Sequence, residues 1–382
     1  MSRIKLMAVF AWLFTFVFSL AYVANFHSAL ATGDWIDVKG YTRIVIPDTF
    51  VYKELIDEEL SLLAITVAGI KNAIGPALIW NIAFSDWFLV AALNSLMLLA
   101  LLLYVITLCK HFKVPRSRTR FIVLALGLMP TMAYFSIGAL KELPTLLAIT
   151  AFYFHFIRQQ TVRWMLMVII LLLFRYQLIA VLTIFYLVDR YAKNPVRTSM
   201  VILLAISMAY PLFSNMNILS SEATALYREE SGSSTGGWIE GVRSSVPVAS
   251  AVAIAIRVAQ SILEPLVPAP DTYWFFEGES ISVLAIAYIV SLLLMLPFWW
   301  QTATASYRIT FATSPASRDL ASLYSFIFIF VILIGGFSFV HHRYLFPITA
   351  LVMIGGAARR DSKPAEKDAQ NTTQVYINTI KQ

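Results

Sequence analysis

Six residues of this chain have the chemistry for a reaction at an anionic centre: Asp48, Lys141, Glu142, Arg175, His342 and Arg343. A carboxylate such as Asp48 or Glu142 can take the proton from an attacking hydroxyl. Fixed cations such as Arg343, Arg175 and Lys141, with His342 beside them, can absorb the charge that develops on a departing phosphate. A base and a phosphate clamp together describe group transfer from a phosphorylated donor. Arg343 is the most telling of the six. The run His341-His342-Arg343-Tyr344 stands between apolar stretches at 320–340 and 345–358, which holds an arginine where a chain turns at a bilayer surface. That placement is costly unless an anion visits it.

Each group also has a plainer role open to it. Asp48, in Ile46-Pro47-Asp48-Thr49, precedes a helical stretch and suits an N-cap. Glu142 suits a pair with Lys141 or the start of a helix near Pro144. Arg175 suits snorkelling, or hydrogen bonding to carbonyls where a helix turns. His341 and His342 suit the membrane interface, and their adjacency is poor for holding one metal ion, so no metal is assigned to them. Arg343 fits a plain role least, and an anionic ligand best.

The elements that must position these groups are membrane helices. Of 382 residues, 59% are hydrophobic and 13% charged, and the mean hydropathy is +0.73. Such a chain has too little polar surface for a water-soluble globule. Apolar segments near 6–31, 87–109, 121–140, 143–157, 199–214, 280–300, 320–340 and 344–358 are long enough to cross a bilayer, or close to it. The amino terminus resembles a secretory signal, with Arg3 and Lys5 before an apolar stretch and Ala29-Leu30-Ala31 as a cleavage site. Its apolar part is longer than a signal needs, so it reads as an uncleaved first helix. Cys109 is the single cysteine, which rules out an internal disulfide or a cysteine metal site and leaves a small core residue.

The stretch 164–188 reads either as one helix with Arg175 at its centre or as two short helices with Phe174-Arg175-Tyr176-Gln177 at the tip. Charge favours the second, because short cytoplasmic loops collect Lys and Arg. With ten membrane segments, the cytoplasmic pieces (1–5, 110–120, 158–163, 189–198, 301–319 and 359–382) hold 19 of the 29 basic residues and 5 of the 22 acidic ones. A single helix would put Arg190, Lys193, Arg197 and the basic tail on the outside. The outer segments 32–86 and 213–279 contain interrupted apolar stretches, 60–84 and 246–267, which read as helices on or in the outer face. The Ser/Gly-rich run 231–237 reads as a linker, and the tail 359–382 as disordered.

The sequence therefore predicts an all-α, polytopic membrane helix bundle of about ten membrane segments. Residues 1–358 form one integral-membrane domain with two long outer loops, and both termini are cytoplasmic. All six candidate groups then fall on the outer side. No Walker loop, GxGxxG turn, HExxH or GxSxG stands in a usable context, so the energy for any reaction must arrive with the substrate.

This pattern resembles the GT-C class of polytopic, lipid-phosphosugar-dependent glycosyltransferases and the related bacterial O-antigen and exopolysaccharide polymerases. The resemblance is carried by Asp48 in Pro-Asp-Thr-Phe-Val-Tyr, by Lys141-Glu142, and by Arg343-Tyr344-Leu345-Phe346-Pro347. It implies Asp48 as catalytic base, with Arg343 and Arg175 on the lipid phosphate. Arg228, Arg243 and Arg257 resemble the arginine-bearing loops of the polymerases. The implied function is glycosyl transfer from a polyprenyl-phosphate or polyprenyl-pyrophosphate sugar at the outer face of a bacterial inner membrane, with polymerase slightly ahead of single-sugar transferase. The implied partners are the polyprenyl-linked substrate, the lipid bilayer and a chain-length regulator or other assembly protein, with no nucleic acid. No cofactor is assigned. A divalent metal stays open, with Asp57, Glu58 and Glu59 its only candidate ligands in the first loop. The competing classes are a transporter or flippase without glycosyltransferase chemistry and an accessory membrane subunit.

Overall fold

The computed structural model describes residues 3–32, 37–38, 41–42, 74–213, 246–263, 266, 276–277, 280–281, 283–311, 317–336 and 344–358. Within them the chain is helical apart from two antiparallel ladders of two residues per strand, Asp37–Val38 with Tyr41–Thr42 and Phe276–Glu277 with Ser280–Ile281. The helices are α1 (Arg3–Thr32), α2 (Ile74–Ile82), α3 (Trp87–His111), α4 (Arg116–Leu128), α5 (Pro130–Ile137), α6 (Glu142–Ile157) and α7 (Thr161–Phe174). They continue as α8 (Leu178–Tyr191), α9 (Pro195–Phe213), α10 (Pro247–Leu263), α11 (Val283–Phe311), α12 (Arg318–Phe330) and α13 (Thr349–Ala357).

Among the described residues four helical stretches are long and apolar enough to cross a membrane: Arg3–Phe26, Trp87–His111, Ile286–Phe311 and Arg318–Gly335. A fifth results if α4 and α5 are counted as one broken span. The run 121–140 is continuous in its apolar character but not in its backbone: Pro130, at the first position of α5, has no N–H to continue the helix, and the two pieces meet at 43°. The remaining apolar helices are shorter. At 1.5 Å per residue, α7 and α8, of 14 residues each, are about 21 Å long against a hydrocarbon core of about 30 Å.

Local chemistry explains the boundaries. Asp86 caps α3, its Oδ1 accepting from the Leu89 N–H at 2.8 Å, and Lys110 and His111 sit in the last turn where the helix dipole favours cations. Phe84 and Ser85, both with positive φ, make the tight turn between α2 and α3. Ser317 caps α12 with Asp319 in its first turn.

Aromatic contacts show which ends meet. Trp164 near the start of α7 meets Tyr186 near the end of α8 in a tilted ring pair with centroids 6.0 Å apart, so these helices run antiparallel. Phe152 and Phe156, late in α6, meet the same Trp164. Hence the start of α6 lies beside the end of α7. At one end of the bundle, His111 pairs with Asp319 at 2.8 Å, Arg318 donates to the Asp189 carbonyl at 2.6 Å, and Tyr153 donates to the Asp319 carbonyl at 2.9 Å. Three basic turns gather there: 110–120, 158–163 and 190–197. The core between the ends is built on Phe152, Tyr153, Phe185 and Phe326, all fully buried and in mutual ring contact. Leu6, Phe10, Phe14 and Phe18 of α1 are exposed at helical spacing, the face that a membrane helix turns to lipid.

Candidate functional site

The end of the bundle opposite the basic turns carries a buried ion pair. Glu142 opens α6, where a carboxylate gains from the helix dipole, and its side chain is 0% exposed. Arg175 ends α7: its backbone N–H still donates to the Leu171 carbonyl at 2.7 Å, while its φ of −151° turns the chain away from the helix. The Arg175 Nη2 then donates to the Glu142 Oε1 at 3.0 Å, with 7% of the arginine side chain exposed.

Arg175 therefore does not snorkel. A guanidinium this far from water is tolerable only when paired, and one partner here is a carboxylate. A second is the ring of Tyr344, whose centroid lies 5.2 Å from the Arg175 Cζ. A desolvated cation over an aromatic face gains on the order of 2 kcal/mol. The Arg175 Nε, also buried, has no hydrogen-bond partner among the described residues. The guanidinium thus spends one N–H on the protein carboxylate and is steadied by a ring, with a further buried donor at Nε.

The scaffold around the pair is specific. Asn94, fully buried in α3, donates through its Nδ2 to the carbonyls of Ser136 at 3.3 Å and Gly138 at 2.7 Å. This ties down the link between α5 and α6, from which Lys141 and Glu142 follow. Thr145 Oγ1 donates to the Lys141 carbonyl, tightening the first turn of α6. Phe346, two residues after Tyr344, packs against Phe135 of α5 with ring centroids 4.7 Å apart, and this fixes the level at which Tyr344 meets Arg175.

Of the residues singled out in sequence, the structure joins Glu142 and Arg175 directly, and Lys141, half-buried, is next to Glu142 in the chain. Arg257 lies half-buried on α10. Asp48, Asp57, Glu58, Glu59, Arg228, Arg243, His341, His342 and Arg343 lie outside the described residues. Sequence reasoning missed Asn94, a lone amide in the apolar run 87–109 and so visible in principle, and gave Tyr344 no role of its own. Among the described residues no group of three or more His, Cys, Asp or Glu could hold a metal ion.

Chemically, the Glu142 carboxylate in this arrangement holds the Arg175 guanidinium in place. Comparison of the chain with protein-family models, curated proteins and solved structures finds no match.

Proposed function

We propose that the chain is a glycosyl-transfer enzyme acting on a polyprenyl-phosphate or polyprenyl-pyrophosphate sugar at the outer face of a bacterial inner membrane, during surface-polysaccharide assembly. The observation that carries this reading is the buried Arg175–Glu142 pair with Tyr344 on the guanidinium, at the end of the bundle away from the basic turns. Because Lys and Arg collect in cytoplasmic loops, the three basic turns favour an orientation in which the pair faces outward. That is the side on which a lipid phosphate bearing a translocated sugar is found. Ten membrane segments, with α7 and α8 as the arms of one hairpin and both termini cytoplasmic, satisfy the same charge rule.

In this reading Arg175 and Arg343, with Lys141 and His342, bind the phosphate that leaves. Asp48 takes the proton of the attacking hydroxyl, and Glu142 anchors Arg175. A repeat-unit polymerase is slightly favoured over a single-sugar transferase. The chain requires no energy source beyond the donor bond.

The test is replacement in the native host of Arg175 by Ala, Arg343 by Ala or Asp48 by Asn, with protein level in the membrane checked by immunoblot and the surface glycan resolved by gel. Loss of the ladder with the protein present supports the reading. A full-length ladder in all three variants overturns it. Membranes that elongate no glycan from supplied polyprenyl-linked repeat units, yet lose outer-face donor when Arg175 is replaced, assign the chain to transport instead.

A further inference from the structure

We propose that Gly75 and Phe174 form a seat that sets the position of Arg175, which makes the short helix α2 a positioning element of the site. The proposal rests on the reading of Arg175–Glu142 as the functional centre. The backbone of Gly75 lies against the ring of Phe174 so closely that a Cβ added there would stand 2.5 Å from Cδ1 and 2.6 Å from both Cε1 and Cγ. Carbon atoms in van der Waals contact keep about 3.5–4.0 Å. Only glycine fits with the ring where it is.

Neither side of this contact yields easily. Phe174 is buried at the last position of α7, and the residue bonded to it is Arg175. On the other side, α2 buries Pro76, Ala77, Ile79 and Trp80, and Trp80 meets Trp87 of α3 edge to face with centroids 4.8 Å apart. Withdrawing α2 would pull Trp80 off Trp87. A methyl group at position 75 therefore pushes the ring, and with it the end of α7, while Glu142 stays with α6. A charge-assisted hydrogen bond of 3.0 Å between buried groups does not survive such a displacement unchanged.

Gly75 is thus a residue whose missing side chain is its contribution, and Phe174 transmits the position of α2 to the guanidinium. Both act through Arg175, as positioning residues. The sequence alone shows Gly75-Pro76 only as an interruption in an apolar stretch.

The test reads the ion pair itself. In purified full-length protein, the non-additivity of Arg175→Met and Glu142→Gln in thermal melting measures the coupling of the pair. The coupling falls by more than half in a Gly75→Ala background and recovers in Gly75→Ala/Phe174→Ala, where all three crowded ring atoms are gone. Should Gly75→Ala fail to fold, Phe174→Trp, which crowds the same seat from the ring side, is measured in its place and weakens the coupling. Wild-type coupling in folded Gly75→Ala, or in folded Phe174→Trp, overturns the proposal, as does a loss that the double variant does not reverse. Bulk destabilisation alone would lower every melting temperature without changing the coupling. Intact surface glycan in Arg175→Ala, Arg343→Ala and Asp48→Asn alike sinks the glycosyl-transfer reading and leaves the seat standing, so the two fail separately.

Discussion

Arg175 reaches Glu142 across 33 residues of sequence and meets it at 3.0 Å with both side chains withdrawn from solvent. Two desolvated charges in contact are strongly interdependent, because removal of either leaves the other buried and uncompensated. Glu142→Leu and Arg175→Met are each expected to destabilise the protein by about 3–5 kcal/mol. The double replacement Glu142→Leu/Arg175→Met leaves no buried charge and costs far less than the two single changes added together. Unfolding of purified protein followed by intrinsic fluorescence checks the order. Equal, additive losses would mean that the pair is not coupled.

Asn94 leads to a second expectation. Its Nδ2 donates to two carbonyls that close the link before Glu142. Asn94→Leu keeps the branched shape but removes the donor to both carbonyls, of which Gly138 still accepts from the Leu140 N–H at 2.9 Å, at a cost of about 1–3 kcal/mol. Asn94→Asp is worse, since a carboxylate oxygen would face carbonyl oxygens in a dry interior. A melting temperature for Asn94→Asp at or above that of Asn94→Leu would show that the amide does not hold the link.

The parts read well from sequence are those whose cause is local. The long helix Trp87–His111 follows from an unbroken apolar run with Asp86 before it and Lys110-His111 at its end. The turn at Arg175 is legible for another reason, the spread of Lys and Arg over the loops, since a straight helix through 164–188 would exchange the sides of the loops after it. The break at Pro130 is local as well, but an apolar run hides it: hydropathy is blind to a missing N–H. The Glu142–Arg175 contact is not local. Sequence suggests Lys141 as the nearest partner of Glu142, and only the antiparallel packing of α6 on α7 brings Arg175 to it as well. The seat at Gly75 is invisible for the same reason, because its meaning lies in a ring 99 positions away that only the fold brings near.

A third expectation concerns the contact of α13 with α11. A Cβ at Gly356 would stand 2.7 Å from the carbonyl oxygen and 3.0 Å from the Cα of Phe298, whereas one at Gly355 would meet the Tyr324 Cε1 at 3.2 Å. Backbone cannot rotate aside as a ring can. Gly356→Ala therefore forces the helices apart and costs about 1–3 kcal/mol, the range for overpacking a filled core. Gly355→Ala costs less, because the Tyr324 ring can shift. Thermal melting of the two variants side by side decides it, and a larger loss for Gly355→Ala would contradict the close approach of α13 to Phe298.

The last expectation sets the exposed end of the bundle against the buried one. His111 and Asp319 are in hydrogen-bond contact at 2.8 Å, closer than Arg175 and Glu142, yet 29% and 47% of their side chains are exposed. Distance alone would rank this pair higher; solvation ranks it lower. Water screens the attraction and rehydrates whichever partner is left, so Asp319→Asn is expected to cost no more than about 1 kcal/mol. The bond from Tyr153 to the Asp319 backbone carbonyl survives the change, which further limits the loss. Added salt should weaken the His111–Asp319 coupling and leave Arg175–Glu142 nearly unaltered, because ions cannot enter between buried groups. Double-mutant cycles for both pairs at low and high salt make the comparison. If the His111–Asp319 coupling equals that of Arg175–Glu142, or resists salt equally, then burial is not what gives the Arg175–Glu142 pair its strength.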